Sequence, residues 1–112
     1  MQNAALSEIR PVYPTCQQFA EEIGSGFAVS VSDAAPVQLE LTQVSSYGGL
    51  DVKDKSLKIQ AFAITFTGAR TPQLPQGSYA MAHPALGSLD IFIVPIGTDS
   101  RGVRYEAIFN FN

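Results

Sequence analysis

Tryptophan is absent from the sequence, and cysteine and histidine occur once each, as Cys16 and His83. A single cysteine excludes an intrachain disulfide and any cysteine-rich zinc site. A single histidine among scattered carboxylates offers no metal-ligand spacing, so neither a metal nor a cofactor is expected. Positive charge is also scarce: seven Lys and Arg stand against ten Asp and Glu, for a net charge of −3. Only Lys53, Lys55 and Lys58 cluster, and Asp51 and Asp54 sit among them. A nucleic-acid reader needs a denser basic face, because phosphate neutralisation drives most of its affinity. No apolar run approaches the ~20 residues of a membrane span, and the opening MQNAALSEIRPVYP carries none long enough for a secretory signal. The expectation is therefore a cytoplasmic protein with neither nucleic acid nor membrane as partner, release without a cleaved signal staying open. Phosphate loops, dinucleotide fingerprints and the G-x-S-x-G elbow are missing too, and GTDSRG (97–102) lacks the acidic density of a calcium loop.

What the chain does have is apolar content. Its 112 residues are 46% hydrophobic and 15% charged. That length supports one domain with its own core, and that composition argues against disorder. With so few charges, part of the surface must be apolar, and cover by a partner is one solution. Residues 1–14 read as an extended arm, because Pro11 and Pro14 forbid a helix there, and residues 15–112 read as one β-rich domain. PTCQQFAEEIGSG (14–26) predicts a short helix over 15–24. Thr15 is its N-cap, Gln18 completes a capping box, Phe19 and Ile23 share a face, and Gly24 and Gly26 stop it.

Beyond Gly26 the apolar period becomes two. FAVSV (27–31), VQLELTQV (37–44), IQAFAITFTG (59–68), GSYAMAH (77–83), SLDIFIVPI (88–96) and VRYEAIFNF (103–111) alternate as strands, parted by turns rich in Gly, Pro and Asp. Residues 45–59 hold no sustained period and read as the longest and most mobile connection. The fold class expected is mainly β: a six-stranded antiparallel barrel or curled sheet with one short N-terminal α-helix. In the last hairpin, pairing Ile93 with Tyr105, Ile91 with Ala107 and Leu89 with Phe109 gives one wholly apolar face. The opposite face then reads Asp90, Phe92, Val94, Arg104, Glu106 and Ile108. A one-residue slip would carry charges into the core.

The stretch 74–111 also holds His83, Asp90, Asp99, Arg101, Arg104 and Glu106, and the question is whether they form a site. Asp90, Arg104 and Glu106 have an ordinary reading as ion-paired residues on a partly covered sheet face. His83 precedes Pro84 at a strand end, where a ring bonds its own turn. A Cys16–His83 pair would need an orienting acid and a nucleophilic context that nothing around Cys16 supplies. No catalytic residue is expected.

The pattern L-P-Q-G-x-Y-x-x-x-H-P-x-L-G-x-x-x-x-F-x-V-P-x-G, followed by R-Y-E-A-x-F-N, is matched from Leu74 through Tyr79, His83, Pro84, Gly87, Phe92 and Pro95 to Arg104–Asn110. It resembles the C-terminal signature of an uncharacterised family of small bacterial proteins, and FAEEIGSGFAV (19–29) is similar, more weakly, to that family's N-terminal half. The resemblance implies an accessory or structural role beside phage-tail-collar-like proteins, and no activity. The function expected is a non-enzymatic structural or interaction domain that docks a protein partner, or itself, through Phe92, Val94, Arg104, Glu106 and Ile108. The alternative is a small-molecule carrier with a barrel mouth lined by Phe62, Tyr79, Phe92 and Tyr105.

Overall fold

A computed structural model describes residues 13–46 and 60–111. The arm before residue 13 and the connection expected to be mobile, from residue 47 on, lie outside the described residues. Helix α1 spans Cys16–Ala20, and the strands are β1 Gly26–Val29, β2 Val37–Ser46, β3 Gln60–Gly68, β4 Gly77–His83, β5 Gly87–Asp99 and β6 Gly102–Phe111. All strand pairs are antiparallel. The sheet runs β1-β2-β3-β6-β5-β4 and closes in a ring where β4 returns to β1.

Period-two alternation decides what the ring encloses. Phe27, Val29, Leu39, Leu41, Phe62, Ile64, Phe66, Met81, Ile91, Ile93, Tyr105 and Ala107 are all buried inside it. The two ends are covered from outside the sheet. At one, Phe19 of α1 stacks on Phe109 at 5.5 Å and tilts against Phe62 at 5.9 Å. At the other, buried Leu74 of the β3–β4 connection donates its backbone N–H to the Tyr105 hydroxyl at 2.9 Å.

The helix carries the expected capping box: the Thr15 hydroxyl accepts from the Gln18 backbone while the Gln18 side chain accepts from Thr15. It is shorter than expected. Helical geometry ends after Ala20, so Ile23 does not share the Phe19 face and stands 49% exposed. The backbone of this tail is taken up by β2 instead, since Gly24 N–H donates to the Leu41 carbonyl and Ser25 accepts from Leu41 N–H.

The register of the last hairpin also needs correction. Tyr105 faces Pro95 rather than Ile93, and Glu106 faces Val94 rather than Phe92. The turn has tightened until Asp99 faces Gly102, where the Asp99 carboxylate accepts from Arg101 N–H at 2.8 Å. That moves the pairing by three residues, and a bulge between Pro95 and Gly97 then takes one of them back. The net displacement is even, so every side chain keeps its face, and Leu89, Ile91, Ile93, Tyr105, Ala107 and Phe109 are all buried as expected.

Two stability measurements test this arrangement. Ile91 is 1% exposed, so Ile91→Ala should cost ~2–5 kcal/mol in a urea titration; a loss below ~1 kcal/mol would place it outside the core. Gly102 has φ +141°, and a Cβ there would run into the Gly68 carbonyl oxygen across the β3–β6 ladder. Gly102→Ala should therefore destabilise by at least ~1–3 kcal/mol. A neutral effect in the same titration would contradict the close approach.

Candidate functional site

The cluster that the sequence offers as a site is dispersed by the fold. His83 lies at the turn between β4 and β5, whereas Asp99 and Arg101 lie at the other end of β5, in the turn to β6. Asp90, Arg104 and Glu106 line the outside of the sheet. Arg101 reaches Glu40 of β2 at 3.3 Å, both side chains being substantially exposed, so the pair adds little stability.

His83 is 5% exposed, and both ring nitrogens are engaged. Nδ1 accepts from the backbone N–H groups of Ala85 at 3.0 Å and Leu86 at 3.1 Å. An acceptor of two N–H groups carries no proton of its own, so in the neutral ring the hydrogen sits on Nε2. Nε2 then donates to the Ser25 hydroxyl at 2.8 Å, with the Glu22 carboxylate 3.5 Å away. The Ser25 hydroxyl in turn donates to the Glu22 carbonyl at 2.6 Å. One ring face lies 4.5 Å, centroid to centroid, from Phe27.

A serine, a histidine and a glutamate within reach invite comparison with a hydrolytic triad, but the roles differ. In a triad the serine and the acid bind opposite ring nitrogens, so that one lone pair can take the serine proton. Here serine and acid share Nε2, and the lone pair of Nδ1 is occupied by two amides. The arrangement is a clamp that fastens the tail of α1 to the β4–β5 turn. Gly87 assists with φ +83°, a backbone angle that residues with a Cβ rarely take. Cys16, a half-buried free thiol at the edge of the core, is not among the hydrogen-bond partners of His83. Among the described residues, no group of three or more His, Cys, Asp or Glu could hold a metal ion.

The outer face of β5 and β6 is different in kind. Phe92 is 51% exposed and Ile108 63%, with Val94 half-buried between them and the turn. Their sheet neighbours are small: Ser78 faces Phe92 across β4, and Ala63 faces Ile108 across β3. Neither α1 nor another described element covers them. The expected ion pairs are absent as well. The two ion pairs among the described residues are His83–Glu22 and Arg101–Glu40, so Arg104, Glu106 and Asp90 have no ion-pair partner among them. Ile96, 40% exposed in the bulge, extends the same patch. Sequence reasoning passed over it, although a strand proline followed by Ile and Gly is a bulge signal. Ser25 and Glu22 had no such signal, since they meet His83 only through closure of the ring.

The four aromatic residues proposed as a barrel mouth do not converge. Phe62 and Tyr105 are buried inside, and Tyr79 stands on the inner face with its hydroxyl donated to the Pro75 carbonyl at 2.6 Å. Phe92 is on the outside, because its position in β5 has the opposite parity to Ile91 and Ile93. An open groove of about 510 Å³ does exist elsewhere, lined chiefly by Val31, Pro36, Val37, Pro72 and Leu74.

The fold and these surfaces define a small closed antiparallel β-domain with a histidine clamp inside and an unpaired, partly apolar face outside. Residues 14–109 match the profile of the domain of unknown function DUF6916, and the chain belongs to that family. No curated protein and no solved structure matches it. Among the described residues no helix is long and apolar enough to cross a membrane.

The clamp predicts a graded mutational response. An asparagine Oδ1 can stand near the position of Nδ1 and keep the two turn bonds, while losing the link to Ser25. His83→Asn should cost ~0.5–2 kcal/mol, and His83→Leu about 1 kcal/mol more, because both amides then lose their acceptor. Equal losses for the two variants in chemical denaturation would rule out the two-amide role.

Proposed function

We propose that the protein is a non-enzymatic structural or interaction domain that docks through the outer face of β5 and β6. The observation that supports this most is the pairing of exposure with unmet charge. Phe92 and Ile108 are large, apolar and more than half exposed, and Arg104 and Glu106 beside them have no ion-pair partner among the described residues. The interior, by contrast, is filled with aromatic and aliphatic side chains and capped at both ends. The finer form of the proposal is an accessory component of a phage-tail-like assembly, which the C-terminal signature implies. A carrier function would draw on the groove beside Leu74 rather than on the four aromatic residues.

The test compares proteins that co-purify with the chain expressed in its native cell. Phe92→Asp places a charge on the exposed face, so its stability should stay within ~0.5 kcal/mol of wild type while the partner set is lost. His83→Asn should keep the partner set. A partner set indifferent to Phe92→Asp, or a turnover abolished by His83→Asn in a folded protein, would overturn the reading.

A further inference from the structure

We propose that the occupant of this face is a second copy of the chain, set by a two-fold axis that brings Arg104 of each copy onto the partner's Glu106. The proposal rests on the reading of the β5–β6 outer face as a docking surface and adds the identity of what docks.

The argument comes from the order of side chains along the strands. Ile108 and Phe92 form one end of the patch. Next comes Glu106 opposite Val94, then Arg104 opposite Gly97, with Ile96 contributed by the bulge beside it. The patch therefore reads apolar, then Glu106 beside Val94, then Arg104 beside Ile96, and ends at the turn where Gly102 faces Asp99. Its two central ranks are their own complement when the strand direction is reversed, which is what a two-fold interface requires: residue i meets j, and j meets i. An axis running across the strands at the level of Tyr105 lays β6 on β6 and β5 on β5, antiparallel. It places acid over base twice and Ile96 over the partner's Val94. Ile108 then projects over the partner's Gly102, which has no side chain to obstruct it. Sheets packed face to face stand ~10 Å apart, a gap that an arginine and a glutamate span together.

The lone charges fit this arrangement better than an unrelated partner. Arg104 and Glu106 are adjacent on one side of one strand and half-buried, yet they do not pair with each other or with a neighbour. Alternate residues on a strand lie ~6.8 Å apart, too far for a direct ion pair without bending both side chains along the sheet. Each is left without an opposite charge among the described residues and can meet one presented at the same spacing. The chain itself supplies that spacing when turned round. Asp90, exposed and beyond Phe92, falls at the rim.

Sedimentation velocity on the purified full chain tests the pairing. Wild type should sediment as a dimer at micromolar concentration. Arg104→Glu sets four acids across the interface and Glu106→Arg sets four bases, so each should weaken dimerisation by ~100-fold or more. Two combinations should restore it: the double variant Arg104→Glu/Glu106→Arg, and an equimolar mixture of the two single variants, which should form the mixed dimer. Circular dichroism of each single variant separates loss of pairing from loss of fold, and the mixture reports on pairing even where one variant is less stable. A wild-type chain that remains monomeric at ~200 µM would overturn the self-pairing, as would single variants that dimerise normally or a mixture that stays monomeric. Should the monomeric wild type still lose its co-purifying partners on Phe92→Asp, the self-pairing falls and the docking face stands. Should the partner set also be indifferent to Phe92→Asp, both fall.

Discussion

The seam between β1 and β4 is the contact on which the closed sheet depends. β1 has four residues, and only Ala28 and Val29 pair with β4, opposite Ala82 and Met81. One further backbone bond, Ser30 N–H to the Ala80 carbonyl, extends the seam on one side. On the other side the next rung would involve Phe27 and His83, and there the imidazole takes over: it lies on the Phe27 ring and reaches past it to Ser25. A side chain thus continues a ladder that the backbone is too short to complete. Because Nδ1 holds the β4–β5 turn while Nε2 holds the tail of α1, the same ring fixes the helix that carries Phe19 into the end of the core.

Closure of that seam accounts for the division between inside and outside. With β4 joined to β1, the inner face of every strand becomes one enclosed volume, filled by the Phe27–Phe66 contact and the Phe19, Phe62 and Phe109 stack. Period-two alternation then forces the remaining side chains outward whatever their polarity. Phe92 and Ile108 are exposed for this reason: they occupy outward positions in strands whose inward positions are already taken. The bulge at Ile96 adds a third apolar residue to that surface. The docking function and the self-pairing proposed above both rest on this face, the first on its exposed apolar residues and the second on the order of its charges.

Much of the fold was legible in the sequence because it is encoded by short-range chemistry. The six alternating segments became six strands, with ends moved by a few residues. The capping box at Thr15 formed as its spacing required, and Gly87 took the left-handed turn angle. The inward set of the last hairpin was also right, even though its register was two residues out, because only an odd slip exchanges the faces. What misled was turn geometry: GTDSRG looked like a loop, whereas the Asp99 carboxylate folds it into a tight turn and the bulge absorbs the offset.

The site was far less legible. Parity along a strand says which residues share a face, and it could have separated Phe92 from Tyr105 and Phe62 at the outset. It does not say whether Arg104 and Glu106 close on each other. That depends on whether neighbouring strands bring an opposite charge within reach, and Thr65, Thr67, Val94 and Gly97 bring none. The partners of His83 lie 58 residues away at Ser25, a distance over which sequence spacing carries no geometric information. The sequence by itself determined the strands, their inward faces and the helix cap, since each follows from neighbours a few residues apart. Only the tertiary structure decided that the histidine is a clamp and that Arg104 and Glu106 meet no opposite charge among the described residues, because both depend on which strands the closing ring makes adjacent.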